Sequence, residues 1–568
     1  MIINILCWIY ITLVCAAWGN MLLDILLKKQ STTLSQVEFP LVCLSGLSLV
    51  GVLALLFSLF ISLDWKAHLI IALPALIYFF FRKNRNKINE QVIFFFKGFT
   101  IPSYCLLSGC ILLILIISSY TIKHPDTLAY HCQAILWMKN YSVIPGLVNL
   151  QPHLGFQSMW FAVEAVFCPV SKNLNTSFYV NGSILCWYFI FVIGKIFEPT
   201  RQKTINEDSK DNRWFWLLLL IFTILSWTQV RLTAASASPD FIVALYIMAA
   251  VYTILNYSNY FQSDQGYLFM PVVLCSAAVA IKFSAIVILL LILPVLAKLL
   301  QKKQIGRAAI VLVIVTLTIT PILIRNLISS GYPMYPSTFA DFFTPDWKPD
   351  ISVPVYIQHY ITAYARFPVV GVYSEKSIFL TASQWIPRWW ANLSIADKLL
   401  MAILAITAII NLIFLNNFLK RTKNELAILA IILLGSVLWF IKAPDPRFGT
   451  GYLLCLIYFL CKPLQERIQI RPILPIVRLY KLVTACFFIL IITYSCYRLS
   501  VFFRAVDLFF PEGIEKVEYT QYSYGNIKVN LVTKANTWCG ATPVPCVLSC
   551  CNNFVLRGKT INEGFKKR

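Results

Sequence analysis

The sequence predicts an all-α polytopic membrane protein, and three observations carry that reading. Of 568 residues, 59% are hydrophobic and only 13% charged; soluble domains are nearer 45–50% apolar and about 25% charged. Apolar runs long enough to cross roughly 30 Å of hydrocarbon recur along the whole chain. Lys and Arg sit in short clusters between those runs. The net charge of +23 would suggest nucleic acid in a soluble chain. Here its clustering fits loops facing anionic lipid, so membrane lipids are expected partners and nucleic acid is not. Most of the 17 cysteines lie inside apolar runs, where Cys acts as a small buried hydrophobe.

In chain order the spans read as 2–27, 39–63, 67–81, 99–119, 178–197, 214–231, 240–256, 268–281, 284–300, 308–326, 399–415, 426–443, 450–463 and 482–502. That is about 14 transmembrane helices. The 268–281 and 284–300 runs are short and joined at Lys282. One set of loops carries Lys28–Lys29, Arg82 to Lys97, Arg201 to Arg213, Lys298 to Arg307, Lys420 to Lys423 and Lys462 to Lys481. The opposite short loops carry little more than Lys66, Lys282 and Arg447. The positive-inside rule makes the first set cytoplasmic and places both termini outside. The first apolar run has no basic leader and no small-residue cleavage site, so it reads as a retained helix.

The division that follows is residues 1–98 as accessory transmembrane helices and 99–463 as a transmembrane core. Residues 464–502 form a cytoplasmic loop and last span, and 503–568 a small extracytoplasmic tail. The core has long outer loops at 120–177 and 327–398, and such loops commonly carry function on a rigid scaffold.

The first outer loop opens His124-Pro-Asp-Thr-Leu-Ala-Tyr-His131. Asp126 follows a proline and can cap an amphipathic helix through Trp137 and Met138 that lies in the interface. It can equally serve as a general base at the outer membrane surface. Glu164, an acid in an apolar segment, is a functional candidate or a backbone cap. The second long loop holds Arg325-Asn326, then Gly331-Tyr332-Pro-Met-Tyr335-Pro336, and later Trp385-Ile-Pro-Arg388-Trp-Trp390. Aromatics with arginine form interfacial belts, and they also suit sugar rings and a phosphate. Short outer loops carry Ser238-Pro-Asp240 and Ala443-Pro-Asp-Pro-Arg447-Phe-Gly449, where Asp445 and Arg447 can pair simply to pin the loop. There is no phosphate-cradling loop motif and no HExxH zinc motif, and the five histidines are not at helical ligand spacing.

These residues resemble the GT-C superfamily of membrane glycosyltransferases: an acid after an early span, a second acid before a middle span, and an Arg-Asn…Gly-Tyr-Pro-x-Tyr-Pro loop. More closely, His124 to His131, Pro145-Gly-Leu-Val-Asn149, Leu154-Gly-Phe156 and Pro444-Asp-Pro-Arg-Phe448 are similar to a bacterial multi-pass, surface-polysaccharide-associated family of GT-C-like proteins. The ending from Trp538-Cys539 through Pro545-Cys546 to Gly564-Phe565 looks like that family's ending.

The resemblance implies a polyprenyl-phosphate-linked sugar donor and an acceptor that is a glycan, lipid or protein. It implies a bacterial inner membrane with the active site facing the periplasm or exterior. On that reading Asp126 is the catalytic base, and Arg447, Arg325 or Arg388 holds the donor phosphate. Asp240, Glu164, His131, Tyr332 and Tyr335 orient substrate. Many members carry two adjacent acids in the first loop, whereas here Asp126 stands alone between Pro125 and Thr127. A divalent cation is therefore possible but not favoured, since such ions want several oxygen ligands. The main alternative is a transporter or flippase of lipid-linked glycans, with Lys282 and Glu164 lining a pathway. In the tail, Cys539 and Cys546 flank a six-residue loop rich in turn formers, so a disulfide between them is expected, with Cys550 and Cys551 as competitors.

Overall fold

The computed structural model describes residues 1–27, 37–168, 176–197, 213–257, 268–367, 378–413, 422–469, 489, 493, 507–533, 538–548 and 554–568. The chain is an α-helical polytopic membrane protein. Among the described residues eight helices are long and apolar enough to cross a membrane, or nine if one bent pair is a single span.

The helices are α1 (Ile2–Leu27), α2 (Phe39–Ser58), α3 (Trp65–Phe80), α4 (Arg82–Phe96) and α5 (Ile101–Ser118). Short helices α6 (Cys132–Asn140), α7 (Leu147–Leu150) and α8 (Met159–Phe167) build the segment expected from sequence as the first outer loop, called the first outer segment for that expectation alone. Then come α9 (Val180–Phe197), α10 (Arg213–Leu225), α11 (Trp227–Ala234), α12 (Asp240–Tyr257), α13 (Phe269–Ile281), α14 (Ile292–Gln301) and α15 (Ile305–Ser330). The second outer segment holds α16 (Ser352–Arg366) and α17 (Ala382–Asn392), followed by α18 (Ile395–Ile413), α19 (Lys423–Lys442) and α20 (Pro446–Gln469).

Small residues let α1 and α2 cross closely. A Cβ on Gly46 would lie 1.9 Å from the Cys15 carbonyl oxygen, and one on Gly19 would lie 2.1 Å from that of Val42. Such contacts replace the hydrophobic drive that lipid does not supply between helices.

Several sequence expectations change. The 214–231 run is broken into α10 and α11 at Ser226, and the apolar parts of α10, α12 and α13 are shorter than a full span. The 284–300 run is a 3₁₀ stretch, Phe283–Leu291, continued by α14. The 67–81 run bends by 91° into α4, so the basic loop after it is a helix. The 482–502 run lies outside the described residues. The helix after Asp126 is not amphipathic, because most α6 side chains on all sides are buried.

The tail is a small β unit. Strands β1 (Tyr519–Tyr524), β2 (Ile527–Val532) and β3 (Cys546–Val547) form one sheet, and β4 (Phe554–Leu556) pairs with β5 (Phe565–Lys567). Cys539 and Cys546 are joined in a disulfide, while Cys550 and Cys551 lie outside the described residues. The tail packs on the first outer segment. The Gly540 amide donates to the Leu128 carbonyl, and the Gln133 side chain donates to the carbonyls of Gly540 (3.0 Å) and Thr542 (2.7 Å). The buried Phe565 ring meets Trp137. Ile2 and Ile3 amides donate to Leu508 and Phe509 carbonyls, and the Glu512 amide to Ser119. The start of α1, the end of α5, the first outer segment and the tail therefore share one end of the bundle.

Candidate active site

Four chain segments converge at that end. The loop before α20 presents Asp445, whose carboxylate accepts from the Arg447 amide (3.1 Å) and from Arg447 Nε (2.9 Å). This fixes the guanidinium, which donates through Nη1 to Asp126 Oδ2 at 3.2 Å and lies 3.7 Å from Asp240 Oδ2. Asp240 opens α12, and its other oxygen is 2.5 Å from Lys282 Nζ. Lys282 is extended (φ −153°, ψ 121°) at the break after α13, and its ammonium lies 3.9 Å from the centre of the Phe448 ring. Arg447 packs on Phe448 at 4.7 Å and on Tyr364 of α16 at 5.0 Å, within reach of cation–π attraction.

Two tryptophans brace the loop that supplies Arg447. Trp389 Nε1 donates to the Pro444 carbonyl at 2.8 Å, and Trp439 Nε1 to that of Asp445 at 2.7 Å.

Asp126 leads into a π-helical turn, Thr127–His131, of a type often found at functional sites. Its side chain makes no capping bond, so the N-cap reading is replaced by the ion pair with Arg447. Within the turn the Thr127 amide donates to His124 Nδ1 at 3.4 Å, and Thr127 Oγ1 bonds His131 Nδ1 at 3.1 Å. Side-chain exposure grades across the cluster: 9% for Asp240, 11% for Asp445, 20% for Arg447, 27% for Lys282 and 33% for Asp126. Asp126 is thus the carboxylate open to a ligand. Burial pushes its pKa up, but the Arg447 guanidinium outweighs this and holds it below the ordinary carboxylate value. Burial pushes His131 down to about 3 and lowers His124, so both imidazoles are neutral at pH 7.

Beside Asp126 stands a run of half-buried rings. Tyr130 is 5.5 Å from His153 and 5.7 Å from Phe156, and His153 is 5.9 Å from Tyr360, one turn before Tyr364 on α16.

The other residues singled out from sequence lie elsewhere in the fold. Arg325 is buried and donates to Gln157 Oε1 (2.7 Å) and to the Ser58 carbonyl (2.8 Å), tying the end of α15 to that of α2. Arg388 is exposed on α17. Glu164 is buried in α8, and neither of its carboxyl oxygens has a hydrogen-bond partner among the described residues. Tyr332 donates to the Pro349 carbonyl, and Tyr335 to that of Pro152, where its ring packs on Phe156. These contacts hold the outer loops together. Arg325, Arg388, Glu164, Tyr332 and Tyr335 make no bond to the charged cluster among the described residues. Conversely, Lys282 belongs to the cluster, whereas the sequence singled it out only as a charge joining two apolar runs and as a pathway residue in the transporter reading. Among the described residues no group of three or more His, Cys, Asp or Glu side chains is arranged to hold a metal ion.

A mostly helical membrane protein with a small β tail and a charged cluster at one end of its bundle is the class that fold and site define. Residues 1–454 match the family described as a domain of unknown function, DUF8201, and the chain belongs to that family. No curated protein and no solved structure matches the chain significantly.

Proposed function

We propose that this protein is a GT-C-like membrane glycosyltransferase of about 14 spans. It transfers a sugar or glycan from a polyprenyl-phosphate-linked donor to a glycan, lipid or protein acceptor outside a bacterial inner membrane. The single observation that carries the reading is the meeting of Asp126, Asp240 and Arg447, from three distant segments, within 3.2–3.7 Å of one guanidinium.

In the step envisaged, an acceptor hydroxyl attacks the anomeric carbon and its proton passes to Asp126. The bond from that carbon to the phosphate oxygen breaks, and polyprenyl phosphate leaves with the electron pair. Asp126 is already ionised, so it needs no activation to accept the proton. Arg447 uses Nε and Nη1 on its carboxylates, and a guanidinium has five N–H donors. Its remaining donors, with partly exposed Lys282, can stabilise charge on the departing phosphate. The rings of Tyr130, His153 and Tyr360 offer faces on which sugar C–H groups can stack.

One observation favours the second reading, a flippase: Lys282 and Asp240 pair at a break in an apolar helix run, as polar groups along a transport path do. Purified protein with polyprenyl-phosphate sugars separates the two. Release of polyprenyl phosphate marks transfer, and movement across a vesicle without cleavage marks flipping. Asp126→Asn should abolish release while the protein stays folded; near-wild-type turnover would remove Asp126 from the base role.

A further inference from the structure

The α3–α4 corner is a rigid, cationic and partly apolar surface outside the charged cluster. α3 is long and apolar, and α4 leaves it at 91°, so α4 runs across the direction of the bundle. Its first turn carries Arg82, Lys83 and Arg85, all exposed. Among the described residues none of the three has a carboxylate within ion-pair distance.

Exposed apolar groups flank these charges. Phe80 and Phe81 precede them, and Ile93 and Phe94 follow in the last turns of α4, each more than half exposed. The face of α4 that carries Lys87 and Gln91 is fastened to α1. Asn20 and Gln91 exchange two side-chain hydrogen bonds at 3.0 Å each, and Lys87 pairs with Asp24 at 2.5 Å. Lys87 is therefore already neutralised, which leaves the first-turn cations for a partner.

A helix lying across the spans, with cations on its exposed face and bulky apolar side chains beside them, has the chemistry of an interfacial segment. We infer that the first turn of α4 binds the headgroups of anionic phospholipids in the surrounding leaflet, with Phe80, Phe81, Ile93 and Phe94 seated among the acyl chains. Charge complementarity selects the partner, because three exposed cations have no carboxylate partner among the described residues while the adjoining apolar residues require hydrocarbon beside the phosphate. A soluble polyanion would meet the charges and leave the rings in water.

Each cation near an anionic surface contributes about fivefold to binding, so the three together should contribute roughly a hundredfold. The test titrates detergent-solubilised protein with mixed micelles of dioleoylphosphatidylglycerol or dioleoylphosphatidylcholine and reads thermal stability. The phosphatidylglycerol micelles should stabilise, with a midpoint that moves to much higher lipid in Arg82→Gln/Lys83→Gln/Arg85→Gln. Arg82→Lys/Arg85→Lys should keep the wild-type midpoint, and all variants should match in phosphatidylcholine. An unchanged midpoint in the triple variant, equal stabilisation by phosphatidylcholine, or equal stabilisation by soluble polyphosphate would each overturn the assignment.

Discussion

Replacing Arg447 by lysine tests what the charged cluster is for. The guanidinium serves Asp445 through Nε at 2.9 Å and Asp126 through Nη1 at 3.2 Å while standing 3.7 Å from Asp240. A lysine ammonium is a single point and cannot keep that geometry. Asp445 retains the backbone amide of residue 447, and Asp240 retains Lys282, so Asp126 is the carboxylate left least supported. Losing a hydrogen bond to a charged group costs about 1.5–3 kcal/mol. Because the charge itself is kept and Arg447 is one-fifth exposed, the stability loss should lie near the lower end of that range. On the proposed reading the loss of turnover should be larger, since removing one group that stabilises developing charge typically lowers turnover about 10²–10³-fold.

The pH dependence gives a second readout. Arg447 depresses the Asp126 pKa against the opposing effect of burial. Weakening that pair raises the pKa, so less of Asp126 is ionised in mild acid, and the acid limb of activity should move to higher pH. Release of polyprenyl phosphate across pH 4–8, beside thermal melts of the same preparations, checks both. If turnover falls only as far as stability does, and the acid limb stays in place, Arg447 merely pins its loop and the reasoning fails.

Gly46→Ala should be severely destabilising, because its Cβ would meet the Cys15 carbonyl at 1.9 Å and the backbones of α1 and α2 would have to part; a melt matching wild type would show that the crossing is looser than described. Cys539→Ser should destabilise the tail by ~2–3 kcal/mol and raise hydrogen exchange at 128–133, where Gly540 and Thr542 hold the first outer segment. Quantitative alkylation of Cys539 and Cys546 without reduction would refute the bridge. His131 stays neutral until about pH 3 when folded, whereas the unfolded imidazole binds a proton near 6.5. Stability should therefore be flat above pH ~6.5 and fall as pH drops from there toward 3. His131→Gln should flatten that slope, and an unchanged slope would place the titration elsewhere.

Much of the helical plan was legible because membrane burial imposes long apolar runs, and α1, α2, α5, α9 and α15 start and stop within a few residues of them. Where the runs shorten, hydropathy alone does not distinguish a span from a core helix. The apolar stretches of α10, α12 and α13 pack against other helices, and a core helix can be apolar all round without spanning. Asp126, Asp240 and Arg447 stood out as charges beside prolines in otherwise apolar surroundings. What local pattern could not give was which of them meet. Arg325 stood next after Arg447 as a phosphate ligand, yet it donates to Gln157 and the Ser58 carbonyl. Lys282 reaches Asp240 only because the chain breaks at an extended residue after α13. Such pairings depend on the relative depth and rotation of helices far apart in sequence, which period and composition do not encode.

The same geometry bears on why the cluster is there at all. Paired charges in a protein interior are weak evidence for stability, since desolvating them can cost as much as their attraction returns. A bundle held by apolar packing and close α1–α2 contact has no structural need for three aspartates, an arginine and a lysine in one place. If stability alone were the purpose, one pair would suffice, and Asp240 with Lys282 already satisfy one another. Instead the arrangement spends Asp445 on orienting Arg447, braces that loop with two tryptophans, and uses the guanidinium to keep Asp126 ionised. Asp126 is the most exposed side chain in the set. The segment bearing it is held by the tail through Leu128 and Gln133. Every interaction in the chain from Trp389 to Asp445 to Arg447 thus ends on one accessible carboxylate beside a row of aromatic rings, and it is this arrangement on which the proposed transfer rests.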